Sequence, residues 1–423
     1  MDKETKNAAI KQAIKETREK HKGMRCRTIE VKVTASKLSS KKEAMLNQYF
    51  LEAKWLRNSE LAKGYENMNR DAKTATIKVG DHFEERKLLI LGSQMRQDIV
   101  DSLRAEIRGL ATKKKKGEKV GALKFKSFCN SIPLRQYGTT YSIDFVNNTI
   151  SIQGMRNFPI KVRGLKQFPK DKDYDITSAK LIRKPSGLYF HITVYTPIEE
   201  KPATGNTCGI DFGISNNMTL DNGDKYNIWV PEIKGVKLAS KRLNKSYHRY
   251  NKLMAKQKTV TSKETGTVLT DKKPPKPKSK KIKGKKSKRH YRRVHKLRAA
   301  YERQNNKKSD IANKIVHDLE SKYDFIAIQD EMIAGWHKGL FGKQVQHSAM
   351  GVTKAKLKLL NKTHVIDRSF PSTQICPKCM QNTKHDMTMR EYHCKHCGYY
   401  YPDRDVKAAY SIFQKAQQMF VTA

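Results

Sequence analysis

Apolar and polar residues alternate from Arg27 to Val33 (RTIEVKV), the period of a half-buried strand. After Ser39, a hydroxyl residue suited to an N-cap, the period changes, and Leu46, Tyr49, Ala53 and Leu56 recur at helical spacing. Met95, Ile99, Leu103, Ile107 and Leu110 repeat that spacing, and Lys113 to Gly117 read as a basic loop that ends it. The pattern predicts a small helical unit inserted after the first strand. From about Lys124 to Thr196 the texture shifts to short runs, TTYSIDF, TISIQ, FPIKV, AKLIRK and LYFHITVY, divided by Gly, Asn and Asp turn signals. These predict a compact β-barrel.

A stretch of linker composition, PIEEKPATGN, separates that barrel from a second region. There CGIDFGISNNMTL and DKYNIWV read as a hairpin of buried strands, and GVKLASKRLNKSYHRYNKLMAKQ reads as a basic helix. Residues 258–288, dominated by Lys and Pro, cannot bury enough apolar surface to order alone and are expected to be a disordered insertion. A long helix from Arg289 to Leu319, the strand DFIAIQ, the helix KAKLKLL, the strand THVIDRS and a closing helix DVKAAYSIFQKAQQ complete the chain. Residues 1–23, polar and Lys-rich, read as a solvated helix or arm with little hold on RNA.

Charge changes the picture more than length does. The 423 residues suffice for two or three domains with their own cores. Their formal charge of +46, from 87 Lys and Arg against 41 Asp and Glu, exceeds what solubility requires and costs self-repulsion. A polyanion relieves that cost, and nucleic acid is the first candidate because phosphates release counterions. A membrane is the weaker one: no run of about 18 apolar residues exists and the opening lacks the core of a secretion signal. The expectation is a cytoplasmic, nucleoid-associated protein of a prokaryote. Within the barrel region Arg135, Arg156, Lys161, Arg163 and Lys166 lie near the aromatics Tyr137, Tyr141 and Phe158. That mixture suits phosphate contact with base stacking, and equally an ordinary solvated strand face.

Cys26, Cys129 and Cys208 are scattered, whereas Cys376, Cys379, Cys394 and Cys397 form two Cys-x-x-Cys pairs across a short loop. That is the spacing of a tetrahedral thiolate zinc site. Three acids stand out at strand and helix ends: Asp211 in GIDFG, Glu331 after FIAIQD, and Asp405 in PDRDVKAAY. A buried acid is costly unless paired or metal-bound, and small glycines beside Asp211 would let a ligand approach the backbone. Acids gathered from separate segments can hold two magnesium ions that activate water for phosphodiester cleavage. Each also has a plain reading: Asp211 as a turn cap, Asp405 as a helix N-cap, Glu331 as the partner of a Lys. Asp330 and Asp403 are the neighbours most easily mistaken for the acids.

GIDFGISN, IQDEMIAGW, STQICPKC, CKHCGYY and DRDVKAAYSI, in that order, resemble the RuvC-type nuclease of TnpB and the miniature type V CRISPR effectors. SQMRQDIVDSLR and GALKFKSF resemble the helix and loop before the β-domain of TnpB proteins, so the likeness spans roughly residues 90–415. It implies an α+β, multidomain chain. An oligonucleotide-binding-like barrel (24–37 and 120–200) would carry an inserted helical recognition unit (38–119). An RNase H-like RuvC nuclease domain (201–370 and 400–423) would carry a zinc ribbon (371–399) that binds target nucleic acid. Asp211, Glu331 and Asp405 become the magnesium-binding acids and the clustered cysteines the zinc ligands. Guide RNA and double-stranded target DNA become the partners, with an asymmetric dimer on one RNA. The activity implied is guide-directed cleavage of DNA beside a short adjacent motif. The Lys-rich arm tilts the reading toward a CRISPR effector over a transposon-encoded TnpB. A non-cutting nucleic-acid-binding protein, or a transposase acting without RNA, would share the charge. Two departures stand out: Met380, where the family often has Gly, and Lys407, where it usually has an Asn that supports the final acid.

Overall fold

The computed structural model describes residues 3–169, 173–198, 202–214, 218–231, 235–264, 287–386 and 389–420; the side chains of residues 3, 4, 6 and 253–264 are not described. The chain divides into two compact units, Met1–Glu200 and Lys201–Ala423.

The first unit opens with an exposed helix α1 (Lys3–Lys22), the solvated helix of the two forms expected. The end of α1 is held by ion pairs of Lys20 and His21 to Asp175 at 2.9 and 3.1 Å, and His21 stacks on Tyr195 at 3.8 Å. Next come β1 (Met24–Val33), α2 (Ser40–Lys63), β2 (Thr74–Val79), β3 (His82–Lys87) and α3 (Ser93–Lys115). The remaining strands are β4 (Ser131–Leu134), β5 (Tyr141–Asp144), β6 (Thr149–Ile152), β7 (Ile160–Arg163), β8 (Asp175–Lys184) and β9 (Gly187–Pro197). Seven strands in the order β4-β8-β9-β1-β7-β6-β5 form a nearly closed barrel. The edge strand β5 reaches the far end of the sheet, where the Tyr141 hydroxyl donates at 3.3 Å to the Thr177 carbonyl of β8, the neighbour of the other edge strand β4. The period-two residues Ile29, Val31 and Val33 of β1 meet Ile160, Val162, Phe190, Ile192 and Val194 in the core.

Ser39 caps α2 as its position suggested, accepting from the Lys42 N–H at 3.4 Å. Leu46, Tyr49, Ala53 and Leu56 of α2 and Met95, Ile99 and Leu103 of α3 are buried in the same core. Between these helices the β2–β3 hairpin appears where only helix had been expected. Residues Lys113 to Lys115, expected in a loop, form the last turn of α3.

The second unit holds a five-stranded sheet ordered β12-β11-β10-β13-β14. Its strands are β10 (Thr207–Asp211), β11 (Met218–Leu220), β12 (Lys225–Tyr226), β13 (Phe325–Gln329) and β14 (Thr363–Ile366). The long helices α4 (Val236–Glu264) and α5 (Lys288–Lys322) lie between β12 and β13 in sequence. After β13 come the short α6 (Ile333–Trp336) and α7 (Gly342–Gln346), then α8 (Met350–Leu357). After β14, the hairpin β15 (Tyr392–His393) and β16 (Tyr400–Tyr401) precedes the closing helix α9 (Arg404–Phe420). The expectation of disorder over 258–288 is corrected at its two ends only. Residues 258–264 continue α4 and Ser287 N-caps α5, while 265–286 lie outside the described residues.

β10, β13 and β14 run parallel, and β11 turns back antiparallel on β10. Alternation sends Cys208, Ile210, Ile326 and Ile328 to the core built with Ile315, Leu319 and Leu357 of α5 and α8. Ala327 and Ile366 meet Ile412 and Ala416 of α9 instead. Gly209 lets α9 come this close: a Cβ there would lie 2.1 Å from the Ala409 carbonyl oxygen and 2.8 Å from Phe413 Cβ. The expectation that glycine here admits a ligand is therefore corrected, since the space is taken by the helix. Gly213, by contrast, faces open space.

Candidate functional site

The parallel pairing of β10 and β13 sets the frame of the site. Asp211 ends β10, the middle strand of its sheet, and is 8% exposed. Its carboxyl is pushed up from 3.8 to about 8, first by burial, then by the negative charges of Glu331 and Asp405. The fold thus brings together three acids separated by most of the second unit. Lys407 and Arg404 pull the value the other way and do not cancel the rise.

Glu331 lies two residues past the end of β13. Lys354 of α8 donates to its carboxylate at 3.0 Å and to its own main-chain carbonyl at 2.8 Å. Burial is the largest influence on both partners, raising the Glu331 carboxyl and lowering the Lys354 ammonium. Pairing with a Lys, the plain reading of Glu331, is present alongside its proximity to Asp211.

Asp405 sits in the first turn of α9, but it is Asp403 that caps the helix. The Asp403 carboxylate accepts from the Asp405 N–H at 2.9 Å and the Val406 N–H at 3.3 Å. Asp403 also pairs with Lys225 at 2.5 Å. The Asp405 carboxylate lies 3.5 Å from Arg390, with its side chain 14% exposed. Asp330 is bound outward by Lys358 and, at 3.3 Å, by Arg368. Both neighbours are thereby occupied by surface cations.

The four clustered cysteines form a compact thiol cage. Their sulfurs all lie within 4.8 Å of one another, with Cys376 to Cys397 and Cys379 to Cys394 both at 3.6 Å. A tetrahedron with metal–sulfur bonds of about 2.3 Å has edges of about 3.8 Å, so the cage fits zinc. Among the described residues no other group of three or more His, Cys, Asp or Glu residues meets that spacing, so the three carboxylates are spread more widely. Each cysteine pair turns through a residue with positive φ, Met380 at 61° and Gly398 at 71°. Their N–H groups donate back to the Cys376 and Cys394 carbonyls at 2.9 and 3.0 Å. The two turns are equivalent, and the Met occupies a conformation that favours Gly.

Gln329, which the sequence reading did not single out, and Lys407, which it noted only as a departure beside the final acid, fasten this ribbon. Gln329, 4% exposed at the end of β13, accepts from the Ser372 hydroxyl at 3.0 Å and donates to the carbonyls of Asp367, Arg368 and Phe370. Lys407 is fully buried; its ammonium donates to the Ser372 and Ile375 carbonyls at 2.9 and 3.0 Å and lies 3.9 Å from the Tyr392 ring centre. Burial pulls that ammonium down to about 7, against the opposing pull of Cys376 and Asp211. Where an Asn supporting the last acid was expected, this chain has a side chain that reaches into the ribbon. No periodicity in the sequence signals this, because both contacts cross between distant segments.

The basic residues of the barrel are more dispersed. Arg135 lies 3.6 Å from Asp101, Arg156 donates to the Thr139 carbonyl at 2.9 Å, and Lys161 donates to the Asn147 carbonyl at 2.5 Å. Arg163 and Lys166 are exposed. Tyr137 packs edge-on to Tyr141 at 5.4 Å.

Residues 352–412 match the family model described as Cas12f1-like, TNB domain. The matched segment runs from within α8 through the thiol cage into α9, and it supports a relationship at the level of the Cas12f- and TnpB-type nucleases. No curated protein matches the chain. No helix of the described residues is long and apolar enough to cross a membrane.

Proposed function

We propose that this chain is an RNA-guided DNA endonuclease of the miniature type V effector kind, with Asp211, Glu331 and Asp405 as its magnesium-binding acids. One observation carries the reading: a carboxyl is buried at the end of the middle strand and burdened by two further acids. Such an arrangement destabilises the chain unless a cation compensates it. A pair of ions about 4 Å apart also calls for carboxylates spread more widely than a single-ion cage. When bound, the two ions would activate water and stabilise the leaving oxygen of the cut strand.

The chain's own residues prepare that site. Lys354 fixes the Glu331 carboxylate, and the Asp403 cap holds the first turn of α9, which carries Asp405, whose charge acts on Asp211. The zinc ribbon would engage target DNA, while the barrel and its helical insertion would grip the guide RNA. Base pairing would supply sequence specificity and the cationic surface affinity. A homodimer on one RNA and a nucleoid-associated location belong to the same proposal. A transposon-encoded TnpB would use the same residues; a repeat array or transposon ends beside the gene distinguish the two. Asp211→Ala, assayed on a plasmid with magnesium and the cognate RNA, is expected to abolish nicking and linearisation. Undiminished cutting would defeat the assignment.

A further inference from the structure

Away from the acids and the thiol cage, the second unit contains an open cavity of about 610 Å³ formed by α4, α5 and the α7 segment. Four exposed lysines line it: Lys237, Lys241 and Lys245 along α4, and Lys343 on α7. Among the described residues none of the four makes an ion pair, and residues 236–252 of α4 contain no acid. Four like charges facing one hollow repel each other, and an anion placed there removes the repulsion.

The lining is more than a cationic surface. At its base lie Gln304, 4% exposed, and His347, 8% exposed, with the Gln304 amide 3.3 Å from His347 Nδ1. His347 is held in place through its carbonyl, which accepts from the Val230 N–H at 2.6 Å, and its ring lies 5.5 Å from Trp229. The α7 segment is tied to α5 by the Lys308 ammonium donating to the Gln346 carbonyl. Tyr301 presents an aromatic ring, 37% exposed, at the edge. Lysines for phosphate, a ring for stacking, and an amide beside an imidazole for a base edge make up the set that recognises a nucleotide. The volume lies within the range of about 300–1,000 Å³ typical of small-ligand sites.

We propose that this cavity binds one phosphorylated nucleotide unit, supplied by a single-stranded nucleic acid. Its lysines hold the flanking phosphates, and Tyr301, Gln304 and His347 receive the base. The site is separate from the acid cluster, and its occupancy is read by binding in magnesium-free buffer, so it stands or falls independently of the cleavage reading.

The test uses the full chain and a fluorescein-labelled tetranucleotide carrying one 4-thiouridine. Anisotropy gives the affinity, and ultraviolet crosslinking followed by peptide mapping gives the location. Lys241→Glu with Lys343→Glu, both exposed, is expected to weaken binding by about tenfold or more. The same charge change at Lys296 and Lys307, exposed on α5 outside the cavity, is expected to have a much smaller effect. Crosslinks are expected on the peptide containing Tyr301 and to vanish in Tyr301→Ala. Displacement by unlabelled oligonucleotide alone supports a strand as the source, whereas displacement by thymidine monophosphate would keep the nucleotide site and overturn the strand as its source. Equal losses in the two charge-reversed variants, crosslinks only outside the cavity, or equal displacement by hexaglutamate would overturn the proposal in favour of diffuse charge attraction.

Discussion

Replacing Asp211 with Asn keeps the shape of the side chain and removes the charge that the site resists. The carboxyl ionises near 3.8 in an unfolded chain and is raised to about 8 in the native one, with burial ahead of Glu331 and Asp405 as the cause. An acid with a raised native value binds its proton more tightly folded than unfolded, so wild-type stability falls as pH climbs from 3.8 toward 8. Above that window the full penalty is in place; below it the penalty is gone. At about 1.4 kcal/mol for each pH unit, the penalty grows by at most roughly 3 kcal/mol between pH 5.5 and 8. Asp211→Asn should therefore be more stable than wild type without magnesium, with an advantage that widens over that range by about 2–3 kcal/mol. Urea unfolding in zinc-replete, magnesium-free buffer measures it, and taking the difference between the two proteins at each pH cancels effects common to both. Added magnesium should then stabilise wild type at pH 8 and leave the variant unmoved, because metal binding to the native state raises stability by mass action. The same variant should lose cleavage, so stability and activity move in opposite directions. A stability difference that stays flat with pH would refute the claim that a buried, acid-crowded carboxyl sits here.

Gly209→Ala places a methyl 2.1 Å from the Ala409 carbonyl oxygen, so β10 and α9 must separate. A loss of about 1–3 kcal/mol in urea unfolding is expected, together with reduced cleavage as Asp211 and Asp405 are displaced. Met380→Gly relieves a left-handed backbone and should stabilise the zinc ribbon by about 1 kcal/mol, seen as slower zinc release to a chromogenic chelator. Lys407→Met keeps the volume but deletes two buried hydrogen bonds and strands two carbonyls, at a cost of about 2–4 kcal/mol. That variant should release zinc faster; a release rate equal to wild type would remove Lys407 from its role as a tie between α9 and the ribbon.

Some elements of the fold are masked in the sequence for local physical reasons. The strand β4 (SIPL) is hard to read from sequence because Pro133 argues against a strand, yet β4 lies at the sheet edge, where proline costs no ladder bond. The β2–β3 hairpin leaves little trace in the sequence because HFEERK is almost wholly exposed and charged, so its alternation carries little apolar signal. Its turn glycine, Gly80 with φ 61°, was the cue that remained. Asp403 and Asp405 differ by two positions at a helix start, and spacing alone does not say which accepts the N–H groups and which faces the sheet.

What the amino-acid order determined by itself was local: the period of β1, the helical faces of α2 and α3, the cap at Ser39, and a thiol cage whose ligands lie within two short turns. These depend on neighbours a few residues away, so periodicity and spacing expose them. The company kept by Asp211, the helix filling the space at Gly209 and the reach of Lys407 into the ribbon were decided only by the tertiary structure. Each joins segments from different elements, and their meeting depends on which strands pair and which helix covers them. That choice is made by the whole buried core and leaves no periodic mark in the chain.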